Sequence, residues 1–224
     1  MGKIMSAFLG ILLACVGFIS CSNDEENQEM IPASAKGTFT DTRDGNSYGW
    51  VRYGNLEWMS ENFRYDMKDE SNCQLYLNAD DSPVDPMVYG RLYTYSGAVA
   101  ACPDGWRLPT DDDWKSLEKV FGMSDSEADG REWRGNVAEL ILSKYGEKTD
   151  FNILLAGYFT QNTTAQTNGW RHLGSYGFYW TATKEPEKGT FYYYRKFIYN
   201  SKSIYRESME PGNMLSVRYV RDAQ

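Results

Sequence analysis

The segment that organises the chain lies at residues 102–121 and reads CPDGWRLPTDDDWKSLEKVF. Two prolines and a glycine disfavour regular structure before Thr110, because proline has no amide donor and glycine has no side chain. Thr110 then begins a Thr-x-x-Asp pattern that is typical of a helix N-terminus. The sequence therefore predicts a helix that begins at about residue 111 and ends near Gly122.

The apolar residues of this helix fall on one side. They are spaced three, three and one residues apart, which places them on one stripe that faces a core. These residues are Trp114, Leu117, Val120 and Phe121.

Three consecutive carboxylates, at residues 111–113, have two interpretations. Clustered carboxylates suit a calcium ion. Acidic residues at a helix N-terminus also interact favourably with the unpaired amides there, and consecutive helical positions point in different directions. The second interpretation is favoured, and no metal or other cofactor is predicted.

The same segment resembles a known family. Residues 102–114, with CP followed by WRLPTD-x-x-W, resemble the central motif of the Fibrobacter succinogenes major paralogous domain, a family of secreted bacterial domains. They are more loosely similar to the RLPT-x-x-EW segment of formylglycine-generating-enzyme domains. Further motifs match in the same order: DGN-x-Y at 44–48, WM-x-EN at 58–62, YGRLYT at 89–94, YWTAT at 179–183 and SVRYVRD at 216–222. The resemblance covers residues 38–222 and implies a C-type-lectin-like fold in an exported protein.

The N-terminus has the pattern of a lipoprotein signal peptide at residues 1–20. Lys3 precedes an apolar run at residues 7–19 that is short for a membrane span. Cys15 or Cys21 could carry the lipid, and Cys21 is favoured because cleavage at Cys15 would halve the apolar run. The acidic residues that follow resemble the tether of surface lipoproteins in Bacteroidota. The alternative is ordinary signal cleavage followed by a plain linker.

This pattern predicts a lipid-anchored protein of the outer membrane or cell surface. Residues 21–36 are polar and predict a flexible tether, and residues 37–224 predict a single domain. The net charge of −8 becomes −9 without Lys3, and no run of Lys or Arg is present. The acidic balance therefore disfavours nucleic acid as a partner.

Two cysteines remain in the predicted domain, Cys73 and Cys102. In an oxidising compartment such a pair usually forms a disulfide, and closing this 29-residue loop would contribute roughly 3–4 kcal/mol. The sequence therefore predicts a Cys73–Cys102 bridge.

The order of the predicted elements indicates an α+β domain with short antiparallel sheets and two to three short helices. Strands are predicted at 37–41, 48–53, 56–59, 151–159, 178–183, 190–200, 203–209 and 215–221. Helices are predicted at 93–101, 111–121 and 137–143, the last capped by Asn136, and loops at 63–88 and 124–133.

The sequence gives little support to an enzyme. His172 is the only histidine, and no serine or cysteine lies in a nucleophile-elbow pattern. Formylglycine-generating enzymes use a late pair of cysteines, and no cysteine follows Cys102 here.

Aromatic residues make up 15% of the chain, with 17 Tyr and 7 Trp. Two interpretations remain open: the rings fill the core of a β-rich domain, or some of them stack on a ligand. Residues 160–175 predict a long polar loop, where such folds carry ligand-binding residues. The candidate residues are Asn168, Trp170, Arg171 and His172, with the Trp170 ring stacked on the ligand or, alternatively, folded onto the core.

Together these features predict a surface-anchored lipoprotein with a non-catalytic binding or adhesion domain for a glycan or protein ligand. The alternative is an accessory or structural subunit of a cell-surface assembly, and an enzyme is the third possibility. The membrane is contacted only through the lipid.

Overall fold

The computed structural model describes residues 31–142, 149–161 and 169–224. The predicted signal peptide, Cys21 and most of the tether lie outside the described residues. In the described part, strands and short helices form a mixed α+β domain, as predicted. The strands are β1 (Ala35–Thr40), β2 (Ser47–Tyr53), β3 (Leu56–Met59), β4 (Cys73–Gln74), β5 (Leu92–Tyr93), β6 (Glu132–Arg134), β7 (Ala156–Phe159), β8 (Trp170–Leu173), β9 (Tyr176–Lys184), β10 (Tyr192–Ile198), β11 (Ile204–Met209) and β12 (Val220–Asp222). The helices are α1 (Pro86–Tyr89), α2 (Tyr95–Ala100), α3 (Asp111–Val120), α4 (Asp125–Asp129) and α5 (Ala138–Ile141).

The first sheet has four antiparallel strands in the order β1-β2-β3-β12. The turn between β2 and β3 contains Gly54 at a φ of 59°, a conformation that glycine adopts without strain. The last strand pairs with the third, with Val220 opposite Trp58. This pairing brings the two ends of the domain into one sheet.

The second sheet has six strands in the order β6-β11-β10-β9-β7-β8. Its neighbours are antiparallel except β7 and β9, which form a parallel bridge between Gly157 and Gly177. A small two-stranded sheet joins β4 and β5.

Helix α3 lies between the two large sheets. The Trp114 ring contacts Trp58 of β3, with 5.0 Å between ring centroids, and Phe197 of β10, with 6.2 Å. All three rings are fully buried. The helix predicted from the central segment therefore contacts both large sheets.

The start and end of α3 confirm the prediction. The Thr110 hydroxyl accepts a hydrogen bond from the Asp113 amide at 3.0 Å, and the Asp113 carboxylate accepts one from the Thr110 amide at 2.7 Å. Gly122 follows the helix at a φ of 111°. Asp113 is therefore a capping residue.

Asp111 has a different role, because it is buried and paired with two arginines. It accepts hydrogen bonds from Arg195 at 2.7 Å and from Arg206 at 2.6 Å. Glu118 lies further along α3. It accepts hydrogen bonds from Arg195 at 2.6 Å and from Arg134 at 2.9 Å. These five residues, which we call the buried charge network, join α3 to β6, β10 and β11.

Several local predictions were wrong. Residues 124–133 are not a loop, because Ser124 and Glu127 form a capping box that begins α4, and β6 follows. Helix α5 forms without a side-chain cap, so Asn136 does not have the predicted role. The predicted loop at 63–88 contains β4 and the start of α1, where Asp85 accepts a hydrogen bond from the Met87 amide.

The predicted tether ends earlier than residue 36. β1 begins at Ala35, and Ile31 forms a parallel bridge with Thr149. The last residues of the predicted tether are therefore part of the domain.

The Cys73–Cys102 bridge is not formed in the structure, where both residues are free thiols. Each sulfur faces a different carbonyl: Cys73 Sγ lies 3.7 Å from the Tyr65 oxygen, and Cys102 Sγ lies 3.8 Å from the Pro103 oxygen. Cys73 is held in β4 by its pairing with Tyr93, whereas Cys102 follows α2. The expectation that two remaining cysteines pair in an oxidising compartment is therefore not met in this structure.

Candidate functional site

Three of the four residues predicted to bind a ligand lie in β8. Trp170, Arg171 and His172 belong to this strand, and Asn168 lies outside the described residues. Part of the predicted loop at residues 160–175 is thus a strand at the edge of the six-stranded sheet. Whether these residues bind a ligand stays a prediction.

The Trp170 ring is only 9% exposed. It packs on Phe159, with 4.5 Å between ring centroids, and on Tyr76, with 5.4 Å. Leu92 and Met214 complete this small core cluster. The packing favours the alternative in which Trp170 folds onto the core.

Trp170 also borders a cleft of about 560 Å³. The cleft is lined by both polar and apolar residues, and its charged residues partly neutralise one another: Arg91 donates to Asp66 at 2.7 Å, and Lys68 donates to the same carboxylate at 2.9 Å. The thiol of Cys73 also lines it. Asp66 is thus paired with two cations at the wall of the cleft.

His172 is exposed and makes ring contacts with neighbouring tyrosines. Its ring stacks on Tyr176 with 4.3 Å between centroids and on Tyr158 with 6.1 Å. Burial of part of the ring and the nearby charges of Arg171 and Lys196 lower the pKa of His172. A general base is usually oriented by a hydrogen-bonded partner, and His172 has no carboxylate bonded to it among the described residues, so its surroundings give no support for such a role.

The six-stranded sheet carries a line of aromatic and cationic side chains across all its strands. Antiparallel partners directly opposite each other place their side chains on the same face. Register pairs join Trp133 to Tyr205, Tyr205 to Lys196, and Lys196 to Phe178. Phe178 contacts Tyr158 of β7, with 4.6 Å between ring centroids, and Tyr158 is paired with Arg171 of β8.

We call this line the cross-strand row. From β6 to β8 it consists of Trp133, Tyr205, Lys196, Phe178, Tyr158 and Arg171. Six strands at roughly 4.8 Å spacing make the row about 24 Å long. It is therefore a surface of several adjoining rings rather than a pocket.

Exposure along the row is greatest toward the edges of the sheet. Trp133 is 42% exposed, Tyr205 and Tyr158 are half-buried, and Phe178 in the centre is buried. Tyr194 lies beside the row and contacts Phe178 at 5.9 Å and Tyr205 at 6.2 Å. The buried rings support the accessible ones from within the sheet.

Lys196 is the charged residue in the middle of this surface. Its ammonium lies 3.8 Å from the Tyr205 ring centroid and 4.9 Å from that of Trp133, within the range of cation–π attraction. The side chain is half-buried, and burial lowers the pKa of Lys196. Tyr205 and Trp133 thus hold the ammonium against the sheet.

The face of the sheet opposite the row carries residues of the buried charge network. Successive strand residues point to opposite faces, so Arg195 enters the buried charge network while Lys196 lies in the row. Burial alone would raise the pKa of Asp111, but its hydrogen bonds and the charges of Arg206 and Arg195 outweigh burial and lower it. A buried network of ion pairs therefore lies behind the face that carries the row.

Sequence reasoning identified Arg171 and His172 but missed the row. The sequence predicts a loop at Trp133, and it predicts the strands at 203–209 and 190–200 without their register. A usable signal was present, because Tyr192, Tyr194 and Lys196 alternate with Tyr193, Arg195 and Phe197 along one strand. Alternation indicates two faces, but it does not say which residues of other strands lie opposite.

Among residues 31–142, 149–161 and 169–224, no group of three or more His, Cys, Asp or Glu side chains could hold a metal ion. Within the same ranges, no helix has the length and apolar character needed to cross a membrane.

Comparison with known proteins gives one match. The Fibrobacter succinogenes major domain matches residues 51–221, which include α3, the buried charge network and the cross-strand row. No curated protein and no solved structure matches the chain. Since the match covers most of its length, the chain belongs to the Fibrobacter succinogenes major domain family.

Proposed function

We propose that this protein is a non-catalytic binding or adhesion module that recognises a glycan through the cross-strand row. One observation carries the proposal: aromatic side chains from four of the six strands, with the Trp133 and Tyr205 ring centroids 4.9 Å apart, belong to one row across the sheet. Aromatic rings offer flat apolar faces that suit the C–H faces of sugars. The hydroxyl groups of Tyr205 and Tyr158 and the ammonium of Lys196 can form hydrogen bonds with sugar hydroxyls.

The position of the protein in the cell is part of this proposal. An apolar segment followed by Cys21 and an acidic stretch supports a lipid anchor at the outer membrane or cell surface. A module held there meets polysaccharides and surface proteins of its surroundings. No cofactor is needed for such binding.

We also propose that the domain has a C-type-lectin-like fold. The pairing of β12 with β3, which joins the two ends of the domain, supports this assignment. So does the long segment between β3 and β5, in which the regular elements are short. Superposition of an experimental structure on solved C-type-lectin-like domains tests it.

The experiment for glycan recognition uses the purified full chain on a glycan array. Trp133→Ala and Tyr205→Ala are each expected to weaken binding by about 2 kcal/mol, because each removes a ring from the row. Trp50→Ala is the matched control, since Trp50 is a half-buried ring on the other large sheet. Thermal melts of all three variants check that the fold is kept.

The array distinguishes two results. Loss of glycan binding in the row variants, with the control unchanged, supports the proposal. If all variants bind the glycan as well as the native chain does, the binding surface lies elsewhere. That result would contradict the proposal that the cross-strand row is the binding site.

A second candidate function is that of an accessory subunit in a surface assembly. It is favoured by two exposed apolar side chains of α1, Met87 at 61% and Val88 at 51%. Exposed neighbouring apolar residues are typical of protein contacts. Cross-linking in cells of a Met87→Asp variant tests this function, because loss of a cross-linked partner would support it.

A further inference from the structure

The cross-strand row has a cation between two aromatic parts. Trp133 and Tyr205 lie on one side of Lys196, and Phe178 and Tyr158 lie on the other. The Lys196 ammonium makes no ion pair with a carboxylate in the described ranges. It is thus a charge that the protein places among rings without neutralising it.

The surrounding charges leave this part of the row positive. Arg171 ends the row, and its guanidinium donates to the Trp170 carbonyl at 2.8 Å rather than to a carboxylate. Glu207 lies on the same strand as Tyr205, but its carboxylate is engaged by Arg131 and by Lys188, the latter at 3.2 Å. Glu132 lies at the outer edge, in β6.

We propose that the ligand is a glycan in which a sugar bearing a carboxylate is flanked by neutral sugars. The carboxylate pairs with Lys196, and the neutral sugars stack on the rings on either side. This inference rests on the proposed function and adds the charge pattern of the ligand to it.

The pattern follows from charge and geometry together. A half-buried ammonium is poorly hydrated, so a carboxylate that reaches it forms a charge-assisted hydrogen bond stronger than one to a hydroxyl group. The whole chain carries a net charge of −8, which repels a polymer with a carboxylate on every sugar. A single cation between rings therefore fits a ligand in which acidic and neutral sugars alternate.

The test measures binding of the full chain to three probes by calorimetry. The first is a hyaluronan oligosaccharide, in which uronate and N-acetylhexosamine alternate. The second is the same oligosaccharide with its carboxylates reduced to alcohols, and the third is an oligogalacturonate of matched length. We expect hyaluronan to bind about tenfold or more tightly than either of the others, the effect of one charge-assisted hydrogen bond.

Three variants assign the effect to Lys196. Lys196→Gln is expected to weaken hyaluronan binding about tenfold and to leave the binding of the reduced oligosaccharide unchanged. Lys196→Arg keeps the charge and is expected to retain most of the affinity. Lys36→Gln removes the same charge from a site on β1, where the side chain is 72% exposed, and should have no effect.

The outcomes separate this inference from the function on which it rests. Equal binding of the native and reduced oligosaccharides, or tighter binding of oligogalacturonate, overturns the charge pattern but leaves glycan recognition intact. A second result also overturns the charge pattern alone: none of the three probes binds, but the array finds a neutral glycan whose binding is lost in Trp133→Ala. Failure of every glycan on the array overturns both.

Discussion

Arg195 donates a hydrogen bond to Asp111 at 2.7 Å across 84 residues of chain, and both side chains are buried. The contact joins the first residue of α3 to β10, a central strand of the six-stranded sheet. Lys196, the next residue of β10, lies on the other face in the cross-strand row. One strand thus anchors the sheet to the helix and displays the candidate ligand contact.

Arg195→Met tests the anchor. The substitution leaves Asp111 and Glu118 with one fewer buried cation, and we expect a loss of about 3–5 kcal/mol in the free energy of unfolding. Urea denaturation measures it. Lys202→Met is the control: its ammonium is 3.6 Å from Glu139 and 70% exposed, so a change within about 0.5 kcal/mol is expected. Similar losses in both variants would contradict a special role for Arg195.

The pH dependence of stability follows from Asp111. Its pKa is lowered in the folded state, because the hydrogen bonds and charges of Arg206 and Arg195 outweigh burial. A lowered pKa means that the stabilisation is fully present above the unfolded-state pKa of about 3.9 and is lost as the pH falls below it. Urea midpoints between pH 7 and pH 2 should therefore fall on the acid side.

Asp111→Asn isolates this contribution. The variant should be less stable at pH 7 by about 3 kcal/mol and should lose less stability on acidification than the native chain. Glu118, which shares Arg195 with Asp111, is present in both proteins, so the comparison concerns the Asp111 carboxylate. Parallel acid curves would show that another group is responsible.

Trp170→Ala tests the placement of the predicted ligand residue. Because the ring packs on Phe159 and Tyr76, its removal should cost about 3 kcal/mol of stability, measured by a thermal melt. His172→Ala removes an exposed ring from the same strand and should cost much less. A Trp170→Ala melt equal to that of the native chain, together with lost ligand binding, would restore Trp170 as a ligand contact.

The two thiols give a chemical prediction. Burial raises the pKa of Cys73 and raises the pKa of Cys102 to about 12, so both should react slowly with iodoacetamide in the folded chain at pH 8. In denaturant without reductant both should be alkylated, and peptide mapping measures the extent. Labelling that requires a reductant would reveal the disulfide that the sequence predicted.

The lipid anchor is tested by Cys21→Ala, which should abolish acyl labelling and release the protein from membranes. Cys15→Ala is the matched control and should keep both properties. The reverse pattern would assign the lipid to Cys15.

The sequence by itself predicted the α+β class, the family, and α3 with both of its ends. These features depend on residues close together in the chain: the capping box joins Thr110 to Asp113, and Gly122 is one residue past the C-cap. It also predicted the first three strands, because short turns connect them. Contacts between residues that are close in the chain can be predicted from the local sequence alone.

Tertiary structure alone decided the partners of the charged and aromatic residues. The sequence correctly predicted that Asp111 lies at the start of a helix. Its arginine partners, however, lie 84 and 95 residues further along the chain. Trp133 and Lys196 join one surface only because β11 lies between β6 and β10 in a particular register. Register between distant strands results from the packing of whole faces, and alternation within a single strand does not specify it.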